Sequence, residues 1–245
     1  MSLRSNWRAP ISEHTVKSYN EELGRLKEMV LGMGRLTRQQ LARALDAAEK
    51  SDPQLAAPII EHEPEANRME HEIDELAVRL LALRQPVAID LRAVLSAMRI
   101  ANELERVCDY AADLAERLIA LHPDGGEPVQ SLVNMGRFAV AMLTDAMTAY
   151  ANVDDRQALK VWGRDKELDK MYTDLFRELL TCMTQDTQHV SVNTQMLFMA
   201  RDIERAGDRA TNIAEIVRYL VRGTISEEVR PKADATRSIL SPKAS

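Results

Sequence analysis

The chain has 245 residues, a formal net charge of −6 and only 4% aromatic residues. This charge, with no stretch rich in lysine and arginine, argues against nucleic acid as a partner, since binding a phosphate backbone requires a basic face. No run of about eighteen apolar residues and no apolar signal region occurs, so we expect a cytoplasmic protein that meets membranes only through its partners. Abundant Ala, Leu, Met, Glu and Arg without alternating β-branched runs predict an all-α fold.

The first half reads as three helices behind a loose leader at residues 1–14. Apolar positions at helical spacing from about 16 to 49 predict a long first helix. A second helix should start at Pro53, but Pro58 and Pro64 should break or kink it, so that it becomes regular only from about 65 to 83. A third helix should run from about 89 to 121.

The second half repeats this scheme after HPDGGEP at 122–128, which is typical of a linker. Three helices are predicted at about 129–152, 156–184 and 190–221. The segment ELERVCDYAADLAE at 103–116 returns as DIERAGDRATNIAE at 202–215, and MGR at 33–35 returns at 135–137. Gly34 and Gly136, at equivalent places inside helices, predict a close approach of neighbouring helices.

This repeat predicts two tandem, similar, antiparallel three-helix bundles. The expected domains are residues 1–121 and residues 129–223, joined by the linker at 122–128. We expect the polar tail at 224–245 to be poorly ordered.

In each half, the second and third predicted helices carry an acidic stripe that faces away from their apolar side. Acids four residues apart repel each other when ionised, so such a stripe favours binding of a cation. If the two helices are neighbours, their carboxylates form an oxygen-only site suited to magnesium, calcium, manganese or ferric iron, and to zinc with help from water or histidine. His71 lies beside the first stripe and could reach the cation. The candidate metal ligands are Glu70, Asp74, Glu105 and Asp109 in the first half and Asp165, Asp169, Glu204 and Asp208 in the second.

Two other interpretations of the stripes remain open. They could be solvated helix faces of a metal-free adaptor that binds basic surfaces of partners. The alternative from another class is a di-metal carboxylate enzyme of ferritin type, which uses Glu-x-x-His pairs inside a bundle. The chain has no such pair, and its nearest spacing is Asp186 to His189. Without a Ser/His/Asp set or a glycine-rich phosphate loop, we expect no enzymatic activity.

The sequence also resembles a known family. The stretch NRMEHEIDELAVRLLALRQPVAIDLRAVLSAMRIANELERVCD from Asn67, with RDIERAGDRATNIAE in the second half, is similar to the PhoU family of bacterial phosphate-signalling proteins. The likeness extends from the first helix to about Arg222. It implies two three-helix bundles and, as in some members, multinuclear metal clusters held by the eight carboxylates. The candidate metal ions are iron, zinc, manganese and magnesium, and the sequence does not identify which of them binds. Cys108 stands where the usual motif has glycine, and Asn212 replaces the acid seen at Asp113, so we expect the halves to differ in metal binding.

The resemblance further implies a regulatory function without catalysis. The expected role is negative regulation of the phosphate-starvation (Pho) regulon, which links phosphate homeostasis to signal transduction. The partners implied are the ATPase of the phosphate ABC transporter and the phosphate sensor histidine kinase. Exposed apolar surface on a protein of two bundles predicts a homodimer as well.

Overall fold

The computed structural model describes residues 13–121 and 127–224, together with residues 230, 233, 234, 236 and 239. Within these residues the chain forms seven α-helices and no β-strand, which confirms the predicted all-α class. The predicted helix boundaries agree with the observed ones to within one helical turn. The helices are α1 (Glu13–Lys50), α2 (Pro53–Glu61), α3 (Glu63–Arg84), α4 (Ala88–Leu121), α5 (Glu127–Asn152), α6 (Asp155–Gln185) and α7 (Val190–Arg222).

The expected leader and linker lie mostly outside the described residues. Helix α1 begins at Glu13, inside the predicted leader, and α5 begins at Glu127, inside the predicted linker. None of the described helices combines the length and the apolar character that crossing a membrane would need.

Prolines account for the one difference in helix number between the halves. The Asp52 side chain caps α2 by accepting a hydrogen bond from the Gln54 backbone at 2.9 Å, and a proline follows at the first helical position. Helix α2 then ends and α3 begins at His62, between Pro58 and Pro64, which confirms the predicted break. The corresponding region of the second half contains no proline and forms the single helix α6.

Within each half the helices that carry the acidic stripes are neighbours. Helix α3 packs against α1 and α4, and α6 packs against α5 and α7. The stripes could form a site only if these pairs were adjacent, so the structure meets this condition in both halves.

The two halves pack on each other through α1 against α5 and α4 against α7, and the buried apolar side chains form one continuous cluster. Both repeated glycines lie in this interface. A Cβ atom at Gly34 would lie 2.6 Å from Met147 Cε, and one at Gly136 would lie 2.1 Å from Leu45 Cδ2. The predicted close approach is therefore confirmed, and it joins the two halves of the molecule.

The connection between α3 and α4 is held by residues of the segment RQPVAIDLR, at residues 84–92. Gln85 ends α3 in the left-handed conformation, with φ of 49°. Arg84 pairs with Glu22 of α1 at 3.1 Å. Arg92 Nε donates to the Leu220 carbonyl at 3.3 Å. This carbonyl lies in the last turn of α7, where carbonyl groups have no hydrogen-bond donor within their own helix.

Candidate functional site

The first acidic cluster consists of Glu70 and Asp74 on α3 and Glu105 and Asp109 on α4. The Asn102 amide, one turn before Glu105, donates to Glu70 Oε1 at 3.2 Å and so joins the two helices at this point. The side chains remain partly accessible, with exposed fractions of 17% for Glu70, 16% for Glu105 and 29% for Asp109. The structure therefore brings the predicted residues of the first half to one shared, accessible face.

The carboxylates of the first acidic cluster disfavour one another's ionisation. Burial, followed by the charge of Glu70, raises the pKa of Asp74. Burial, followed by the charge of Asp109, raises the pKa of Glu105. Burial also raises the pKa of Asp109, against the lowering effect of Arg106. A positive charge placed among such crowded carboxylates stabilises their ionised form, in agreement with the prediction that an acidic stripe favours binding of a cation.

The first acidic cluster does not enclose an ion in its described conformation. Among residues 13–121 and 127–224 and the described tail positions, no three Asp, Glu, His or Cys side chains are arranged to hold a single metal. His71 Nδ1 lies 3.8 Å from Glu70 Oε2, but the His71 side chain is 81% exposed. Metal binding here would need rotation of side chains towards the ion, and it stays a prediction.

The second acidic cluster consists of Asp165 and Asp169 on α6 and Glu204 and Asp208 on α7. The stripe was predicted to face away from the apolar side of its helices, but in this half three of its four carboxylates are buried. Asp165 and Asp169 are each 1% exposed, and Glu204 is 2% exposed. Burial of three carboxylates requires compensating partners, because an isolated buried charge is very costly.

Residues of the C-terminal tail supply those partners. Arg230 Nη2 lies 2.6 Å from both Asp165 Oδ1 and Asp208 Oδ1, and Arg230 Nε lies 2.8 Å from Asp165 Oδ2. The backbone N–H of Ala233 donates to Asp169 Oδ2 at 2.6 Å. These described positions of the tail thus contact the second acidic cluster, while most of residues 225–245 lie outside the described residues.

The guanidinium of Arg230 occupies the second acidic cluster as a positive charge. Burial alone would lower the pKa of Arg230, but the hydrogen bonds from Arg230 to Asp165 and the charge of Asp208 outweigh it and raise the pKa. The side chain is thus a cation at any physiological pH. Two of the predicted ligands, Asp165 and Asp208, thus share one positive centre, and carboxylate oxygen is also a ligand that hard metal cations accept.

The two departures from the motif have structural reasons. Cys108 Sγ lies 3.3 Å from Thr37 Oγ1, and burial raises the pKa of the thiol to about 12, so it stays protonated and is unsuited to bind a metal. At the equivalent Gly207, a Cβ atom would lie 1.9 Å from Leu168 Cδ2, so a larger residue would require the Leu168 side chain to shift. Asn212 donates to Glu103 Oε2 at 3.1 Å and accepts from Arg230 Nη1 at 3.4 Å.

Sequence reasoning missed the polar contacts between α4 and α7. Arg209 Nη1 lies 3.3 Å from Glu103 Oε2, and the Arg205 guanidinium lies 4.5 Å from the centre of the Tyr110 ring. Arg117 Nε lies 3.5 Å from Asp202 Oδ2, and burial raises the pKa of Asp202. Glu103 and Asp202 occupy equivalent positions of the repeat, outside the acidic stripes. This recurrence is the sequence feature that could have indicated these contacts. The arginines beside the second motif therefore serve the contact between the halves.

One end of the molecule carries an accessible apolar surface. Leu83, Val87 and Ile89, which surround the turn between α3 and α4, are 72%, 74% and 57% exposed, and we call them the apolar end patch. Ile89 also borders a cleft of about 260 Å³ that both halves line, with Leu23 from α1 and Val153 after α5. Exposed apolar surface beside a cleft is a common feature of protein-binding sites.

The family model of the PhoU domain matches the chain in two segments, residues 30–118 and 132–217. The chain is 39% identical over 228 residues to a phosphate-specific transport system accessory protein PhoU homolog of Caulobacter vibrioides, covering 91% of this chain and 98% of that protein. It is 40% identical over 227 residues to a homolog of the same name from Xylella fastidiosa, covering 92% of this chain and 96% of that one.

Solved structures give the same picture. The crystal structure of PhoU from Pseudomonas aeruginosa superposes with a TM-score of 0.81 at 38% identity, and covers 84% of this chain and 100% of its own. The phosphate transport system regulatory protein PhoU from Streptococcus pneumoniae superposes with a TM-score of 0.80 at 29% identity, and covers 86% of this chain and 100% of its own.

Proposed function

Because this chain belongs to the PhoU family, we propose that it is a cytoplasmic, non-enzymatic accessory protein of phosphate-specific transport. In this role it restrains phosphate uptake and keeps the phosphate-starvation genes off when phosphate is plentiful. The names of its relatives, which describe accessory proteins of phosphate transport, support this role. The near-complete coverage of those relatives supports carrying the role over to the whole chain.

The proposed partners are the ATPase of the phosphate ABC transporter and the phosphate sensor histidine kinase. The observation that supports contact with a protein partner is the apolar end patch beside its cleft. Side chains as exposed as Leu83 and Val87 cost free energy in water, and a partner that covers them recovers it, at roughly 25 cal/mol per Å². The same reasoning supports a homodimer, with a second copy as the covering surface, and light scattering of the purified protein tests that state.

Metal binding belongs to this proposal at the first acidic cluster. Glu70, Asp74, Glu105 and Asp109 would hold a hard divalent or trivalent cation, which would neutralise their mutual repulsion and link α3 to α4. The raised pKa values of Asp74, Glu105 and Asp109 and the partial accessibility of the cluster support this assignment. We propose iron, zinc, manganese or magnesium as candidates, since all accept carboxylate oxygen.

The partner proposal is tested by measuring the affinity of the purified chain for the transporter ATPase, by biolayer interferometry. Replacing Leu83 and Val87 together by serine should weaken binding about tenfold or more, because burying a Leu or Val side chain contributes about 1.5 kcal/mol or more. The matched control is Leu159→Ser on α6, which removes a side chain that is 41% exposed and lies outside the patch. If the patch variant and the control bind as tightly as the parent, the apolar end patch is not the docking surface.

A further inference from the structure

The two acidic clusters occupy equivalent positions but have unequal surroundings. In the first, Glu105 and Asp109 keep exposed fractions of 16% and 29%. In the second, the equivalent Glu204 is buried and Asp208 is 23% exposed. Residues of the C-terminal tail contact the second cluster.

Arg230 lies on the second acidic cluster with the geometry of a specific ligand. Its Nε and Nη2 atoms form two hydrogen bonds to the two oxygens of Asp165, at 2.8 and 2.6 Å. The same Nη2 atom bridges to Asp208 on the neighbouring helix at 2.6 Å. Such fork-shaped pairing of arginine with carboxylate is stronger and more specific than a simple surface ion pair. A single positive centre is therefore shared by predicted metal ligands from α6 and α7.

Further tail residues extend the contact along the cluster. The Ala233 N–H reaches Asp169, and Asp234 lies 3.6 Å from the guanidinium of Arg201, which itself lies 3.4 Å from Glu204. Each of the four carboxylates of the second cluster thus lies within one or two contacts of the tail. An ion that entered between Asp165 and Asp208 would meet the like charge of Arg230 at the same place.

We propose that Arg230, with the backbone of Ala233, is a displaceable internal ligand, and that Arg230 closes the second acidic cluster to metal ions and leaves the first as the open one. This inference rests on the proposed cation binding by the acidic clusters and adds a regulatory element to it. The tail and the metal ion compete for the same carboxylates. Any partner or ion that removes the tail therefore exposes a second cation site.

The first test counts metal on the full-length chain, using Mn²⁺ alone and the electron paramagnetic resonance signal of the free ion. Arg230→Gln should acquire a Mn²⁺ site that the parent lacks, or bind there about tenfold more tightly, as is typical of coupled sites. Adding Asp165→Asn and Asp208→Asn to this variant should abolish the gain. The matched control is Arg177→Gln, which removes the same charge from an exposed arginine on α6 that pairs with Asp174. If Arg230→Gln binds Mn²⁺ as the parent and the control do, the proposal is wrong.

The second test follows the tail itself, by hydrogen exchange of the Ala233 amide in the full-length chain. Arg230→Gln should exchange this amide faster, whereas Arg177→Gln should not. Linkage requires the reciprocal effect, so saturating Mn²⁺ should also accelerate Ala233 exchange in the parent. Unchanged exchange in both experiments would overturn the proposal. Far-UV circular dichroism and thermal melting establish that each variant is folded, and Arg230→Lys, which keeps the charge but loses the fork, should give an intermediate effect.

The outcomes separate this inference from the proposed function. If Glu105→Gln with Asp109→Asn removes no Mn²⁺ from the parent, metal binding at the first cluster fails. The inference about the tail still stands in that case if Arg230→Gln alone gains a site that depends on Asp165 and Asp208. If the first cluster binds Mn²⁺ and Arg230→Gln gains nothing, the tail is not the barrier, and the proposed metal function survives alone.

Discussion

The contact between the halves can be probed at a single glycine, Gly136. A methyl group there would lie 2.1, 2.8 and 3.0 Å from three carbons of Leu45, which is 1% exposed and cannot turn into solvent. Overpacking of this kind costs about 1 to 3 kcal/mol. The gain in helix propensity from glycine to alanine offsets about 1 kcal/mol of it. We therefore expect Gly136→Ala to lower the free energy of unfolding by about 1 kcal/mol and the melting temperature by about 2 to 4 °C.

Gly163→Ala is the matched control, because a Cβ atom there would meet nothing within 4 Å. It should raise the melting temperature by about 2 to 4 °C through helix propensity alone. Gly34→Ala should fall between the two, since its nearest contact is the flexible end of Met147. Melting is followed by circular dichroism of the helices, with urea unfolding as a second measure. If Gly136→Ala and Gly163→Ala have the same melting temperature, α1 and α5 do not pack as closely at Gly136 as the structure shows.

Three further predictions concern charge, capping and thiol reactivity. Because the pKa values of Glu105 and Asp109 are raised in the folded state, that state binds more protons than the unfolded chain. As the pH falls from about 7 to about 5, the melting temperature of the metal-free parent should therefore rise by about 1 °C more than that of the double variant Glu105→Gln, Asp109→Asn. Arg92→Ala should lose about 1 kcal/mol of stability in urea unfolding, since the end of α7 loses the hydrogen bond to Leu220. Ellman's reagent should label the half-buried Cys182 in the folded protein, but label Cys108, with its pKa near 12, only after unfolding.

The fold was predictable because its determinants are local. Helical spacing of apolar residues, the prolines at 53, 58 and 64, and the recurrence of the motif predicted the helices and their order. The glycines at 34 and 136 predicted a close contact, but not that it joins the two halves. Tertiary packing decides which helix lies against a glycine, and the sequence of one helix does not show it.

The candidate site was only half predictable, for a related reason. The stripe residues follow from helical geometry, and their approach follows from the adjacency of α3 with α4 and of α6 with α7. Arg230 lies in a polar tail without periodicity, so nothing in its local sequence indicates a partner. Its role depends on Asp165, 65 residues away in the chain, and on Asp208, 22 residues away.

Asn212 connects the tail to the divergence of the two halves. Its amide nitrogen donates to Glu103 Oε2 at 3.1 Å while its oxygen accepts from Arg230 at 3.4 Å, and an ionised carboxylate, which only accepts, could not do both. A carboxylate at 212, as at the equivalent Asp113, would face the acid of Glu103 with no proton between them. The amide removes that repulsion and still offers Arg230 an acceptor. The amide at this position of the motif thus suits the second half to an arginine, while the first half keeps the acid of Asp113.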